Sequence, residues 1–270
     1  MTAKSENYLF DRVPEHERAR LAGLSAQFDP ATIRHLAMIG VAAGWHCLEI
    51  GAGTGSIARW LAATAGSTGR VVATDIDTQF LDDLPSPPVE VVRHDITADP
   101  LEPGAFNLIH ARAVLEHLPS RREVISRLVT ALRPGGVLVL EDIVFGEALL
   151  PVLGRIVSPP SKAATLSRVI PALAAGFRAA GADPEFGLAL PTALAAAGLR
   201  DVDAELTSRL VRGGSEESAF YTMGMQQVGP GLIAAGLLAE QDLAEPLSFV
   251  QDPTSRWYSL GMVTCWGWRD

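Results

Sequence analysis

The sequence predicts an α/β fold, a mostly parallel sheet with helices on both faces, extended by a helical N-terminal cover and a helical insertion. Three observations carry this reading. Between about residues 45 and 145, short apolar runs alternate with apolar residues at helical spacing, the pattern of strands buried on both faces and joined by crossover helices. Glycine or proline stands at the element ends, as at Gly66, Pro85 and "RPGG". One strand-to-helix junction, "CLEIGAGTGSIARWLA", carries glycines at 51, 53 and 55, and right-handed crossovers bring such junctions to one edge of the sheet.

The elements follow in order. Residues 14–40 read as helical; in "DPATIRHLAMIG", Asp29 is placed to cap a helix, Pro30 to open it and Gly40 to close it. "HCLEI" is a strand, and "SIARWLAATAG" is a helix ended by Gly66. "RVVATDI" is a strand, and "DTQFLDDL" is a short helix stopped by Pro85. "VEVVRHD" and "FNLIHA" are strands, "REVISRLVTAL" is a helix stopped by "RPGG", and "VLVLEDI" is a strand. After Ile143 the chain turns rich in Ala, Pro and Gly, with a loop at "SPPSK" and a helix over Ser161–Ala180. "LRDVDAELTSRLV" reads as a late strand, 217–249 as helical with a break at "VGPG", and "GMVTCWGWR" as a last strand. No repeat or linker interrupts the chain. The expected organisation is one domain over 1–270: a cover at 1–40, a cofactor-binding core at 45–145, an insertion at 146–200, and 201–270 completing the sheet and the substrate side. Cover and insertion are expected to act as a lid that excludes water.

Composition narrows the function classes. The 270 residues are 48% hydrophobic and 20% charged, with a formal net charge of −9. A nucleic-acid surface needs a basic face, so the expected partner is a small molecule and not nucleic acid. There is no apolar signal core or run long enough to span a membrane, so the expected location is the cytoplasm and the expected state a monomer or homodimer. Cys47 and Cys265 read as buried, reduced thiols.

The glycine turn decides the cofactor class. With Gly51 and Gly53 as the first two glycines, the third of a dinucleotide fingerprint falls at Ser56. Glu49 lies two residues before the turn, where a carboxylate repels a pyrophosphate and attracts an ammonium or sulfonium. At ~4 Å in an effective dielectric near 20, that attraction is on the order of 4 kcal/mol before desolvation. Asp75, at the end of the second strand, suits two ribose hydroxyls. Asp95 suits an exocyclic adenine amine, and Ile76 and Ile96 can flank the ring.

"LEIGAGTGSIARWLA", "VVATDID", "VEVVRHDI", "FNLIHARAVLEHL" and "LRPGGVLVLED" stand in one order and spacing. In these stretches, over roughly 45–145, the chain resembles the class I S-adenosylmethionine-dependent methyltransferases. "HARAVLEHLP" and the helical N-terminus look like bacterial small-molecule methyltransferases of an actinobacterial type. The resemblance implies a Rossmann-like seven-stranded sheet with S-adenosylmethionine as cofactor. It implies Glu49 at the methionine ammonium, and Gly51, Ala52, Gly53 and Gly55 where the cofactor meets the backbone. It further implies Asp75 on the ribose, Asp95 and Ile96 on the adenine, and His110 and Ala111 at the methionine or the methyl-transfer site. Phe106-Asn107 departs from the Phe-Asp common in that family, at a position of structural use. "HARA" stands where nucleic-acid amino-methyltransferases carry "NPPY", which points to a small substrate.

Methyl transfer is an in-line displacement in which alignment supplies much of the rate, and a base helps an oxygen nucleophile. His117 in "LEHLP" is the candidate base; the competing reading has it order the loop. No metal-ligand spacing is present, although Glu141 and Asp142 follow the fifth strand. Phe220, Tyr221 and Met225 in "SAFYTMGMQQ", with Tyr8, are candidates for a substrate pocket, the helix packing into a core being the alternative; Tyr8 and Phe10, before the first helix, can close over the cofactor. The expected activity is methyl transfer to an oxygen of a secondary metabolite. Cofactor-assisted cyclisation or rearrangement, and a non-catalytic binding protein on the same fold, remain open.

Overall fold

The computed structural model describes residues 14–146, 148–149 and 157–270. In chain order the elements are α1 (Pro14–Ile39), β1 (His46–Ile50), α2 (Ser56–Ala65), β2 (Arg70–Asp75), β3 (Val89–Arg93), β4 (Phe106–Arg112), a 3-10 turn (Leu115–His117), α3 (Arg121–Ala131), β5 (Leu132–Val144), β6 (Val157–Ser158), a second 3-10 turn (Pro160–Lys162), α4 (Ala163–Ala179), α5 (Phe186–Ala196), β7 (Arg200–Thr207), β8 (Leu210–Arg212), α6 (Ser218–Ala234), α7 (Gln241–Gln251), β9 (Arg256–Tyr258) and β10 (Gly261–Trp268).

One unit comprises Phe28–Ile143, Phe186–Thr207 and Met262–Asp270. Its seven-stranded sheet runs β3-β2-β1-β4-β5-β10-β7. The pairs among β3, β2, β1, β4 and β5 are parallel, and β10 pairs antiparallel with β7. The expected seven-stranded, mostly parallel α/β fold is therefore the observed one. Register explains where polarity enters the sheet. Val71, Cys47, Leu108 and Val137 form an apolar row across β2, β1, β4 and β5. Two residues on, the same face carries Ala73, Glu49, His110 and Val139, and then Arg112 beside Glu141. α2 covers the apolar rows with Ile57, Ala58, Leu61 and Ala62. Strand order reverses at β1, so the chains leaving β1 and β4 diverge and open a crevice at the carboxyl edge.

The other unit comprises, among the described residues, 14–27, those within 144–185, and Ser208–Gly261. Here β6, β9 and β8 form a small antiparallel sheet, and α4, α6 and α7 pack together. The 20-odd residues Phe186–Thr207, read from sequence partly as insertion, belong with the large sheet.

Four local expectations differ from the structure. α1 runs unbroken through Pro30; the Asp29 carboxylate accepts Arg112 Nη2 and Ser56 Oγ, at 2.7 and 3.2 Å, instead of capping a helix. "DTQFLDDL" forms turns, because the Asp75 and Asp77 carboxylates accept the amides of Asp77 and Gln79 and so compete with helical bonding. "VGPG" lies inside α6: Pro230 sits on its exposed side, and Gly229 admits Leu243 of α7 so closely that a Cβ would lie 2.6 Å from it. The late strand divides into β7 and β8, which belong to different sheets. Cys47 and Cys265 are buried and free, and burial pushes both thiols up to about 12.

Candidate active site

The turn after β1 is shaped by glycine. Gly51, Gly53 and Gly55 have φ of +65°, +56° and +76°, a region in which a side chain is costly. A Cβ on Gly51 would also lie 2.5 Å from Cγ2 of Val114, in the chain leaving β4. The turn is tied to β2 twice. The Ala52 amide donates to Thr74 O at 2.9 Å, and the Gly53 amide to Asp75 Oδ2 at 3.0 Å. Asp75 Oδ1 accepts the Asp77 amide at 3.0 Å. Burial pushes the Asp75 pKa up, and these amides pull it part of the way back.

Behind the turn lies a buried charge cluster. Glu49 and His110 are register partners on β1 and β4. His110 Nδ1 is 2.7 Å from Glu49 Oε2, and Nε2 is 3.3 Å from Glu141 Oε2 on β5. Both ring nitrogens face acceptors, so the ring satisfies both carboxylates only as a doubly protonated imidazolium. Burial lowers the His110 pKa, but the Glu49 charge and the bonds to Glu141 and Glu49 outweigh it and raise it to about 9. Glu141 accepts Thr264 Oγ1 at 2.6 Å and Thr32 Oγ1 at 2.5 Å; despite burial, His110 and then Arg112 bring its pKa down to about 2. Arg112 donates to Thr32 Oγ1 at 3.0 Å and to Asp29. His110 is 0% exposed and Ala111 1%. The strand pairing thus carries both side chains into the interior, as it does Glu49, which is 3% exposed.

At the end of β3, exposed Asp95 accepts the Thr97 amide and hydroxyl at 2.8 and 2.6 Å, and the hydroxyl bond above all holds its pKa below the usual range. Ile96 is buried, whereas Ile76 is 48% exposed. Arg127 of α3 secures this loop by donating to the carbonyls of Ile96 at 2.8 Å, Thr97 at 3.0 Å and Asp99.

The chain leaving β4 is strained at its first residue: Ala113 has φ +54°, and its amide donates to Glu141 O at 2.7 Å. His117 follows on the 3-10 turn, its side chain 24% exposed and Nε2 3.3 Å from Glu116 Oε1. Glu116 is buried and accepts the Ile143 amide at 2.6 Å. Asp142 lies buried beside the amides of Glu116, Val114 and Leu115 without a well-formed hydrogen bond; burial pushes its pKa up to about 7 against their pull.

The methyltransferase domain family matches residues 48–140, the stretch that holds the turn, Asp75, Asp95 and the β4–β5 pair. Over that stretch the chain matches a methyltransferase domain, and its fold is that of the class I S-adenosylmethionine-dependent methyltransferases. The chain is 32% identical to methyltransferase str2 of Strobilurus tenacellus over 53% of this chain and 49% of that protein. It is 34% identical to the highly reducing polyketide synthase ltbA of Aspergillus luteorubrus over 36% of this chain and 4% of that protein. The chain thus spans about half the length, or less, of these relatives. Among solved structures, phosphoethanolamine N-methyltransferase 2 of Haemonchus contortus in complex with S-adenosyl-L-methionine shares the fold, with a TM-score of 0.60 at 16% identity, over 100% of this chain and 61% of that one.

The methyltransferase core fits its cofactor. The glycine turn offers bare backbone where side chains would collide, Asp75 keeps acceptor capacity beyond its two amide bonds, and the Glu49–His110–Glu141 cluster sums to one negative charge (two carboxylates, one imidazolium). Asn107, in place of the family's Asp, accepts the His46 amide at 2.9 Å and joins β4 to β1. Sequence reasoning missed two groups. The tie between His110 and Glu141 has a signal in hindsight, since His110 and Arg112 lie two apart on one strand face. Arg127 has none, because its partners are backbone carbonyls.

Phe220, Tyr221 and Met225 lie in the other unit. The Tyr221 hydroxyl accepts the Leu260 amide at 3.1 Å, burial raises its pKa to about 12, and its ring packs edge-on to Trp257 and Phe220 at 5.3 and 5.2 Å. Tyr221, half-buried, thus packs on Trp257 and Phe220, and Met225 is buried within that unit. Tyr8 and Phe10 lie outside the described residues.

Proposed function

We propose that this protein transfers a methyl group from S-adenosylmethionine to an oxygen of a small secondary metabolite. The observation that carries the reading is the junction after β1: a glycine turn tied to Asp75, with the net-negative Glu49 cluster behind it. That arrangement suits a cofactor with a cationic amino-acid end and a ribose, and it is hostile to a pyrophosphate. When bound, the sulfonium supplies an activated methyl carbon. The chain supplies alignment. In this reading Glu49 receives the ammonium, the backbone of Gly51, Ala52, Gly53 and Gly55 lies along the methionine and ribose, and Asp75 takes the ribose hydroxyls. Asp95, Ile96 and exposed Ile76 hold the adenine. His117 accepts the proton of the acceptor hydroxyl, with Glu116 beside it. The stretch shared with a polyketide synthase supports a secondary metabolite as the acceptor class. No helix among the described residues is long and apolar enough to cross a membrane.

The test is conversion of S-adenosylmethionine to S-adenosylhomocysteine in the presence of phenolic and hydroxylated polyketides, with the methylated product identified by mass spectrometry. Product carrying the methyl on oxygen supports the reading. Binding of NAD with no binding of S-adenosylhomocysteine would overturn it.

A further inference from the structure

The geometry points to His110 as a positioning residue: held between Glu49 and Glu141, it fixes the orientation and the charge that Glu49 presents to the amino-acid end of the cofactor. The inference rests on the cofactor reading above, with Glu49 at the ammonium.

The cluster solves an electrostatic problem. A lone glutamate in a buried strand has to be oriented by a donor, and here the donor is a cation, His110, at 2.7 Å. A glutamate neutralised by an imidazolium would lose its attraction for an ammonium. Glu141, on the other ring nitrogen at 3.3 Å, restores the balance, so the three groups together keep one negative charge. Glu141 is in turn fixed by hydroxyls from two directions, Thr264 on β10 and Thr32 on α1. The nearby Arg112 is matched by Asp29 at 2.7 Å and adds no net charge. Asp29 also accepts the Ser56 hydroxyl at the start of α2, so the segment of α1 from Asp29 to Thr32 touches both the cluster and the glycine turn's helix. Every polar group in the chain from Ser56 to Glu49 has a partner, which is the condition under which a buried charge network holds one geometry.

The test uses two ligands that differ only at the amino-acid end. S-adenosylhomocysteine carries the ammonium; 5′-methylthioadenosine keeps the adenosine and the thioether without it. Affinities are measured by titration calorimetry on the full chain. For His110→Asn, S-adenosylhomocysteine should weaken by about tenfold or more, because Glu49 loses the 2.7 Å donor that orients it and this outweighs the extra negative charge left on the cluster, while methylthioadenosine stays within about twofold. Glu141→Gln should weaken it too, by cancelling the cluster's net negative charge, and Thr264→Val in the same direction with smaller size. In a Glu49→Gln background, His110→Asn should add little. Circular dichroism confirms folding, and if His110→Asn does not fold, the milder Glu141→Gln and Thr264→Val decide. An unchanged ratio of the two affinities in folded variants overturns the inference and leaves the cofactor reading standing. Failure of the wild-type protein to bind either ligand overturns both.

Discussion

The amide of Gly53 donates a hydrogen bond to the carboxylate of Asp75 at 3.0 Å. One acid thus holds the glycine turn, and in the proposed reading it also takes the ribose hydroxyls. Asp75→Ala should therefore do two things. S-adenosylhomocysteine binding should weaken by about 10- to 100-fold, and the fold should lose about 1–3 kcal/mol as the two amides lose their acceptor. Asp75→Asn keeps only one of the two acceptor oxygens and should regain part of the stability while binding stays weak. Calorimetric titration and thermal melts separate the two effects. A variant that binds like wild type would remove Asp75 from the site.

Gly51 meets Val114 across the divergence of β1 and β4, and two costs coincide there: a positive φ and a collision at 2.5 Å. Gly51→Ala should lose stability, with the backbone part of the cost at about 1–3 kcal/mol. Val114→Ala in the same chain should relieve the collision and leave the backbone cost. Melting temperatures of both variants provide the check, and full recovery in the double variant would show that φ at position 51 carries no strain.

Much of this arrangement was legible in the sequence, for stated physical reasons. Strands buried on both faces leave long apolar runs, and positive-φ turns demand glycine, so β1, β2, β4, β5 and the turn at 51–55 could be placed from residue types alone. Asx-type bonding inside "DTQFLDDL" could not, because its acids are equally compatible with a helix until their amide partners are known. The Glu49–His110 pair depends on the register between β1 and β4, which is a property of the sheet and not of either strand. Arg127 bonds to carbonyls, which every residue has.

Arg127 spans from α3 to three carbonyls of the loop that carries Asp95 and Ile96. Arg127→Lys keeps the charge but cannot present the planar fork to several carbonyls at once. Both Arg127→Lys and Arg127→Ala should speed amide exchange at 95–99 and weaken 5′-methylthioadenosine and S-adenosylhomocysteine alike, since both contain the adenine. Loss of S-adenosylhomocysteine binding alone would assign the loop to the wrong end of the cofactor.

His117 is part-exposed beside buried Glu116. If it takes the acceptor's proton, His117→Gln should lower kcat by about 100-fold with a modest change in KM for S-adenosylmethionine. The acid side of the pH–rate profile should also flatten. A His117→Gln enzyme with wild-type kcat and an unchanged profile would leave His117 a loop-ordering residue.

The buried cluster gives the fold a pH signature of definite sign. An ordinary histidine titrates near 6.5; burial lowers the His110 pKa, but Glu49 and Glu141 together carry it to about 9. A raised pKa means that the folded chain holds the proton more tightly. The stabilisation is therefore complete below about pH 6.5 and is lost as pH rises through about 9. Glu141, brought down to about 2 from 4.5, reports the same interaction from the other side: its contribution is complete above about 4.5 and lost as pH falls through 2. The two shifts are coupled and do not add. Asp142, raised by burial to about 7, titrates in between, so the informative window lies above it. Between about pH 7.5 and 9.5 the melting temperature of the wild-type protein should fall relative to that of His110→Asn, which has no imidazolium to lose. Parallel curves across that window would mean that the folded protein holds His110 neutral, and that the cluster carries two negative charges or a shared proton instead of an imidazolium.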